Sequence, residues 1–241
     1  MGKLMRAKQG SLRYALTRLI FAWIYFLDLA DEFRVRILNP TNDPTKSRVI
    51  DLILELKEDR LQILMDEAYV IYMAVKSTEK VPGSLAEVGV FRGASAKLIC
   101  QAKGERLLHL FDTFEGLPEV EQIDSRMHSR GQYCASLEEV TEYLRGYPNV
   151  RIYKGLFPST SDPIKDERFA FVNIDVDLRK STQDCLEFFY PRMNRGGIIL
   201  SHDYLLLPGV KKAVDDFFAD KPEPVIEGSG LPGTQALIVK I

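Results

Sequence analysis

Apolar and polar positions fall in blocks along this chain, and the period changes from block to block. Short apolar runs end in polar or charged residues, and most lead into longer stretches with apolar positions at helical spacing. Leu85-Ala-Glu-Val88 is such a run; it passes through Gly89-x-x-x-Gly93 into an Ala/Lys/Leu/Ile stretch. That order reads as a buried strand, a tight turn and a helix start. Arg106 to Asp112 predicts a second strand, Ser136-Leu-Glu-Glu139 a capping box opening a helix to about Gly146, and Val150 to Gly155 a third strand. Phe169 to Asp177 predicts the fourth strand and Thr182 to Tyr190 a helix stopped near Pro191. Gly196 to Tyr204 predicts a fifth strand with a polar end, Val210 to Phe218 a helix and Gln235 to Ile241 a terminal strand. Strands alternating with helices predict an α/β fold with a doubly wound, mostly parallel sheet and helices on both faces.

Upstream of the first strand the pattern is helical. Ile50 to Lys76 reads as two segments broken near Asp59, the second running from Arg60 with Leu64, Ala68, Ile71 and Val75 at helical spacing. Asn39 to Pro44 is a loop by composition, and residues 1–35 read as one or two helices with Tyr14, Leu19, Trp23 and Phe26 near one face. The expected organisation is a helical extension over 1–45 and a catalytic domain over 46–241. The apolar run Leu19 to Leu27 is bounded by Arg18 and Asp28, well short of the ~20 residues that cross a bilayer. No small-residue cleavage site follows it. It predicts a helix buried at a subunit interface, hence a homo-oligomer, or laid over the active site; a helix on a membrane surface is the alternative.

Composition narrows the function. At 241 residues the chain can bury the core of one α/β domain beside that extension. Charges of both signs are mixed to a net −2, so no basic stripe points to nucleic acid. The three cysteines, Cys100, Cys134 and Cys185, are odd in number and lack CxxC spacing. That predicts a reducing, cytoplasmic setting without disulfides or a zinc site.

The turn after the first strand carries the candidate chemistry. A dinucleotide site wants G-x-G-x-x-G, and a P-loop wants Lys-Ser/Thr after its last glycine; neither is present. The spacing Glu87-x-Gly89-x-x-x-Gly93 suits the first loop of methyltransferases that use S-adenosylmethionine, and a ligand-free tight turn is the bland alternative. Gly89 can take positive φ and admit a ligand close to the backbone, while Gly93 keeps the helix start uncluttered. Glu87 would face a ligand ammonium. Asp112 ends the second strand nineteen residues after Gly93, where a carboxylate commonly takes ribose hydroxyls, or else caps the next turn.

In open α/β sheets ligands lie at the carboxyl ends of the strands. If the first and fourth strands are neighbours and the fifth lies beside the fourth, the acids ending both can converge, because parallel strands lie ~4.8 Å apart. Two carboxylates with one more oxygen or an imidazole suit a hard divalent cation such as Mg²⁺, which would lower the pKa of an acceptor hydroxyl. The bland readings are that Asp177 and Asp203 cap helices and that His202 is a satisfied surface histidine. Asp175 is expected on the cofactor amine or the core edge. Arg179 and Lys180 would pair with the acids or hold an anionic group. Residues 119–136, polar and without clear period, read as a lid or a mobile loop.

Glu87-Val-Gly-Val-Phe-Arg-Gly93, Phe111-Asp-Thr-Phe-Glu-Gly-Leu-Pro118, Asn173-Ile-Asp-Val-Asp-Leu178 and Gly196-Gly…His202-Asp-Tyr204, in this order, resemble the macrocin O-methyltransferase family. The resemblance covers roughly residues 45–241. It implies a Rossmann-like seven-stranded fold and transfer of a methyl group from S-adenosylmethionine to a hydroxyl of a small molecule, a sugar or glycosylated natural product. It puts Glu87, Gly89 and Gly93 at the methionine end of the cofactor and Asp112 at its ribose. Phe91, Ser95, Thr113, Gly155 and Asp175 complete the expected cofactor set. It makes Asp177 and Asp203 magnesium ligands, with Asp177 close to the methylated hydroxyl. Two departures stand out. The family usually has two acids before the final tyrosine, and here the first is His202, expected as a third ligand or as a base. An aromatic residue commonly follows Asp-x-Asp-Leu, and here it is Arg179, so the family's sugar specificity is not inherited. The competing readings are a catalytically silent scaffold and nicotinamide-dependent oxidation, the latter opposed by the glycine spacing.

Overall fold

The computed structural model describes residues 43–59, 63–227 and 234–241. The helices expected over residues 1–35, with the Trp23 face and its oligomer contact, lie outside the described residues. The chain divides into two compact units, Met1–Asp51 and Leu52–Ile241.

Seven strands form one sheet: β1 (Ser84–Val88), β2 (Leu108–Asp112), β3 (Val150–Lys154), β4 (Phe169–Ile174), β5 (Met193–Ser201), β6 (Ile226–Glu227) and β7 (Ala236–Val239). Their order is β3-β2-β1-β4-β5-β7-β6. The first five are parallel, and β7 runs antiparallel to both β5 and β6. The chain winds outward from β1 to β3, returns to β4 and winds the other way, so the crevice between β1 and β4 is the topological switch point. The helices are α1 (Pro44–Asp59), α2 (Met65–Ser77), α3 (Ala94–Ala102), α4 (Leu137–Leu144), α5 (Arg179–Phe189) and α6 (Pro208–Phe218).

The central strands are mostly apolar because both faces are covered, with Glu87, His109 and Asn173 as buried polar exceptions. On β1 and β4, Ala86 and Val172 enter the core that also holds Leu186, Phe189, Val210 and Val214. Their neighbours Leu85 and Phe171 enter the other core, with Ile71, Val75, Ala96 and Ile99. The alternation is the two-residue period of a strand read through two opposite helical layers.

Element ends depart from the sequence pattern where side-chain chemistry intervenes. The helix expected from Arg60 begins at Met65: Leu64 is extended, with φ −68° and ψ 155°, and donates its N–H to Glu67 Oε2 at 3.1 Å. This is half of a capping box. Ser136 caps α4 as expected, its Oγ accepting from Glu139 N at 3.1 Å. The fourth strand stops at Ile174, so Asp175 and Asp177 leave the sheet rather than sharing one of its faces. The two-residue strand β6 has no apolar run to announce it; both its residues are exposed.

Candidate active site

The switch point is built by close approach of two strand ends. Val88 O accepts from Asp175 N at 2.9 Å. Gly89 follows with φ +88°, and a Cβ there would lie 1.7 Å from the Asp175 carbonyl oxygen. The glycine expected to admit a ligand is therefore demanded first by the protein's own backbone. Asp112 ties down the turn: its Oδ2 accepts from Val90 N and Phe91 N, both at 2.8 Å, and its Oδ1 from Phe114 N at 2.7 Å. It remains on the wall of the cavity that opens here, of about 500 Å³, a size usual for small-molecule sites.

Asp175, Asp177 and Asp203 converge on this cavity, each offering an oxygen within 4.8 Å of the others. Burial and mutual repulsion act on all three. Burial, then Asp175 and Asp203, push the Asp177 carboxyl up to about 8. Burial and the Asp203 charge raise Asp175, and burial raises Asp203. Among the described side chains the one nearby pairing group is His202, its Nδ1 4.0 Å from Asp175 Oδ2, and three partly buried carboxylates form a donor set that fits a hard divalent ion. Backbone strain gathers at the same place. Of the six non-glycine residues with positive φ among the described residues, Phe91 (48°), Tyr133 (62°), Asp177 (59°) and Asp203 (57°) all line the cavity. Such conformations cost free energy and concentrate at functional sites.

Of the expected cofactor residues, Gly89, Phe91, Asp112, Thr113, Gly155 and Asp175 line the cavity. Gly93 does not; at φ +83° it starts α3 and faces Val140 and Tyr143 of α4. Glu87 and Ser95 also lie behind the wall. Glu87 is fully buried, and burial pushes its carboxyl up to about 8 against the hydrogen bonds of Ser95 and Asn173. It does not present a carboxylate to a ligand ammonium but ends a buried polar chain. Asn173 Nδ2 donates to Glu87 Oε1 at 2.8 Å, and Asn173 Oδ1 faces His202 Nε2 at 3.1 Å.

His202 differs most from expectation. It is buried, off the cavity wall, and its ring is committed to its neighbours. Asn173 Oδ1 lies 3.1 Å from its Nε2, and Gln235 Nε2 lies 3.1 Å from Nε2 and 3.4 Å from Nδ1. Burial holds its pKa below the usual imidazole value, so the ring sits neutral inside this chain. Asp175, expected on the cofactor, completes the acid cluster in its place. The reason is geometric: His202 N donates to Ile174 O at 2.9 Å, continuing the sheet for one residue and turning its side chain into the layer. The chain bends at Asp203 only afterwards.

Arg179 and Lys180 do not touch the cluster. Arg179 makes a two-pronged bond to Glu121, at 2.7 and 3.0 Å, and Lys180 pairs with Asp184. The long polar segment is accordingly pinned. Leu117 N donates to Gln132 O at 2.8 Å, Gly131 N to Leu117 O at 2.9 Å, and Asp124 Oδ2 accepts from Arg179 N at 3.1 Å. From this segment His128 and Tyr133 join the cavity wall. Neither was singled out from sequence; the available signal was a histidine, one of three in the chain, inside a long loop.

The acid cluster sets a pH dependence. The folded chain holds a proton on Asp177 more tightly than the unfolded chain, so between an ordinary carboxyl value of 3.8 and about 8 folding takes up protons. Stability then falls as pH rises through that window. With a chelator present, the melting temperature is expected to drop between pH 5 and pH 8, by on the order of 5 °C for a domain of this size. Asp177→Asn should flatten the drop. Identical slopes for the two proteins in scanning calorimetry would refute the assignment.

Comparison with known proteins agrees with this fold. The family model described as macrocin O-methyltransferase matches residues 59–226. Demethyldecarbamoylnovobiocin O-methyltransferase of Streptomyces niveus is 35% identical over 155 residues, 58% of this chain and 59% of the relative. The 8-demethyl-8-(2,3-dimethoxy-alpha-L-rhamnosyl)-tetracenomycin-C 4'-O-methyltransferase of Streptomyces olivaceus is 33% identical over 171 residues, 63% of this chain and 65% of the relative. The chain thus spans roughly three-fifths of the length of the curated relatives it matches. Among solved structures, the O-methyltransferase NovP superposes with a TM-score of 0.66 at 28% identity, covering 75% of this chain and 81% of its own. Since the matched segment runs from the end of α1 to β6 and takes in both the glycine turn and the three converging aspartates, the chain belongs to the macrocin O-methyltransferase family.

Proposed function

We propose that this protein transfers a methyl group from S-adenosylmethionine to a hydroxyl oxygen of a small polyhydroxylated acceptor, a sugar or a glycosylated natural product, assisted by a divalent cation. The observation that carries this reading is the convergence of Asp175, Asp177 and Asp203 beside the Gly89 turn. The names of the two curated relatives, both O-methyltransferases and one acting on a rhamnosyl group, support the acceptor class.

S-adenosylmethionine brings a methyl group already activated on a sulfonium, and a divalent cation, when bound, favours the ionised form of a nearby hydroxyl. What this chain adds is placement. Gly89, Phe91 and Asp112 form the wall on the β1–β2 side, and the three aspartates hold the β4–β5 side of the same cavity. Asp177 is placed to take the acceptor proton. Asp175 and Asp203 would share the cation with it. The neutral His202 holds the strand ends from behind. In the same reading the protein is cytoplasmic and self-associates through the apolar Trp23 face of the N-terminal helix. Among the described residues no helix is long and apolar enough to cross a membrane.

The test is transfer of labelled methyl from S-adenosylmethionine to a panel of glycosides and phenols. Transfer is expected to stop on exhaustive chelation and to return with Mg²⁺. Activity that survives chelation removes the cation; a panel wholly inert with Mg²⁺ present, while cofactor binds, removes the transferase.

A further inference from the structure

The pinned segment between Leu117 and Tyr133 carries a side chain whose polar atoms serve no neighbour among the described residues. His128 lines the cavity, yet both its ring nitrogens are shielded from solvent and have no hydrogen-bond partner among the described residues. Buried polar atoms in native proteins are nearly always paired, and an orphan in a ligand cavity points to a ligand. The other two histidines show the contrast. His109 is held between the Tyr153 hydroxyl and Glu167 at 3.1 and 3.0 Å, and His202 between Asn173 and Gln235.

Position says which part of the ligand His128 meets. Its ring packs against Tyr133 at 6.1 Å, and Tyr133 meets Phe91 edge-on at 5.8 Å. Tyr133, His128 and Phe91 line the same cavity as Asp175, Asp177 and Asp203. Around it the mouth is apolar: Met127, Leu206 and Leu156 line the cavity with about half of their surface exposed (55%, 54% and 47%). The two ring nitrogens of an imidazole point in diverging directions, which suits hydroxyl groups, each able to give and take. Exposed apolar side chains around a polar recess suit a ligand with a polyhydroxylated head and an apolar body.

We propose that His128 is a specificity-determining residue for the methyl acceptor: its ring nitrogens hydrogen-bond a ring hydroxyl neighbouring the one methylated, while Met127, Leu156 and Leu206 take the apolar body of a glycoside. This deepens the transferase reading and rests on it. The residue acts on binding of the acceptor and takes no part in moving the proton or the methyl group.

The experiment uses the full chain with p-nitrophenyl α-L-rhamnopyranoside and its monodeoxy analogues. His128→Ala should raise the acceptor KM at least tenfold, leave kcat within about threefold and leave S-adenosylhomocysteine affinity unchanged by calorimetry. His128→Gln keeps a donor and an acceptor and should recover most of the loss. One deoxy analogue should lose as much with the wild type as His128→Ala loses with the parent, and nothing more when both changes are combined. An unchanged KM, a deoxy penalty that persists undiminished in His128→Ala, or a parallel fall in cofactor affinity would overturn the proposal. If no glycoside is turned over, the transferase reading fails instead, and a second measurement still decides this one. Imidazole ¹⁵N signals of His128, assigned by their loss in His128→Gln, must move when the rhamnoside is titrated into the S-adenosylhomocysteine complex. Signals that stay still overturn the subsite.

Discussion

Asp177→Asn is expected to abolish methyl transfer while leaving S-adenosylhomocysteine affinity within about threefold. The substitution keeps the shape of the side chain and removes its ability to accept a proton, a role that contributes ~10²–10⁴ in rate. It also removes one of three oxygens that would hold the cation, so kcat should fall by at least ~10³. Cofactor binding should survive because Gly89, Phe91, Asp112 and Thr113 are untouched on their side of the cavity. Folding should not suffer either. A neutral amide beside Asp175 and Asp203 relieves repulsion that these carboxylates exert on Asp177. Isotope-labelled transfer and calorimetry on one preparation give both readouts. Retention of a tenth of the wild-type rate would rule out Asp177 as the base.

The second large effect is structural. Gly89→Ala is expected to lower the melting temperature by on the order of 10 °C and to cost at least a hundredfold in S-adenosylhomocysteine affinity. The added Cβ would stand 1.7 Å from the Asp175 carbonyl oxygen and 2.6 Å from its carbon, on a backbone with φ +88°. Left-handed conformations alone cost an alanine ~1–2 kcal/mol. The clash adds more, because both partners are main chain at the ends of paired strands and no side chain can swing away. A loss of several kcal/mol corresponds to such a shift at ~2–4 °C per kcal/mol. Separation of β1 from β4 would also displace Asp175 and Asp177, so binding and cluster fail together. Gly93→Ala is the control: it shares a positive φ of 83°, but its Cβ would meet side chains and no main chain, Val140 at 3.3 Å, Tyr143 at 3.5 Å and Leu144 at 3.9 Å. It should cost clearly less. Equal losses for the two variants would mean that conformation, not strand contact, makes Gly89 necessary.

The departures from the family pattern acquire physical meaning in the fold. Histidine at position 202 sits where a carboxylate is more usual, and the structure places it in a buried chain with Asn173 and Gln235. A carboxylate there would meet Asn173 Oδ1, an acceptor, as well as the Gln235 Nε2 donor. The neutral ring suits the place, and Asp175 supplies the third acid from the neighbouring strand end. Arg179, where an aromatic is more usual, anchors the segment that carries His128 and Tyr133 through Glu121. Both departures therefore act on how the acceptor side of the cavity is assembled.

By itself the sequence determined the alternation of strands and helices, the glycine turn after β1, the Ser136 cap and the placing of acids at the ends of β2, β4 and β5. Those features are written in local terms: apolar runs buried on both faces, periodicities of two and of 3.6, and capping side chains within three residues of the groups they serve. Tertiary structure decided which of these residues meet. Asp175 joins Asp177 and Asp203 only because β4 lies between β1 and β5 and ends at Ile174. Glu87 and His202 are withdrawn from the cavity because each continues the sheet's own pairing and points into a layer filled by other elements. His128 reaches the wall because contacts far apart in sequence, Glu121 and Asp124 with Arg179, fold a polar segment back over the strand ends. Such contacts leave no periodic trace in the chain, since they depend on which strand lies beside which and on where the backbone leaves the sheet.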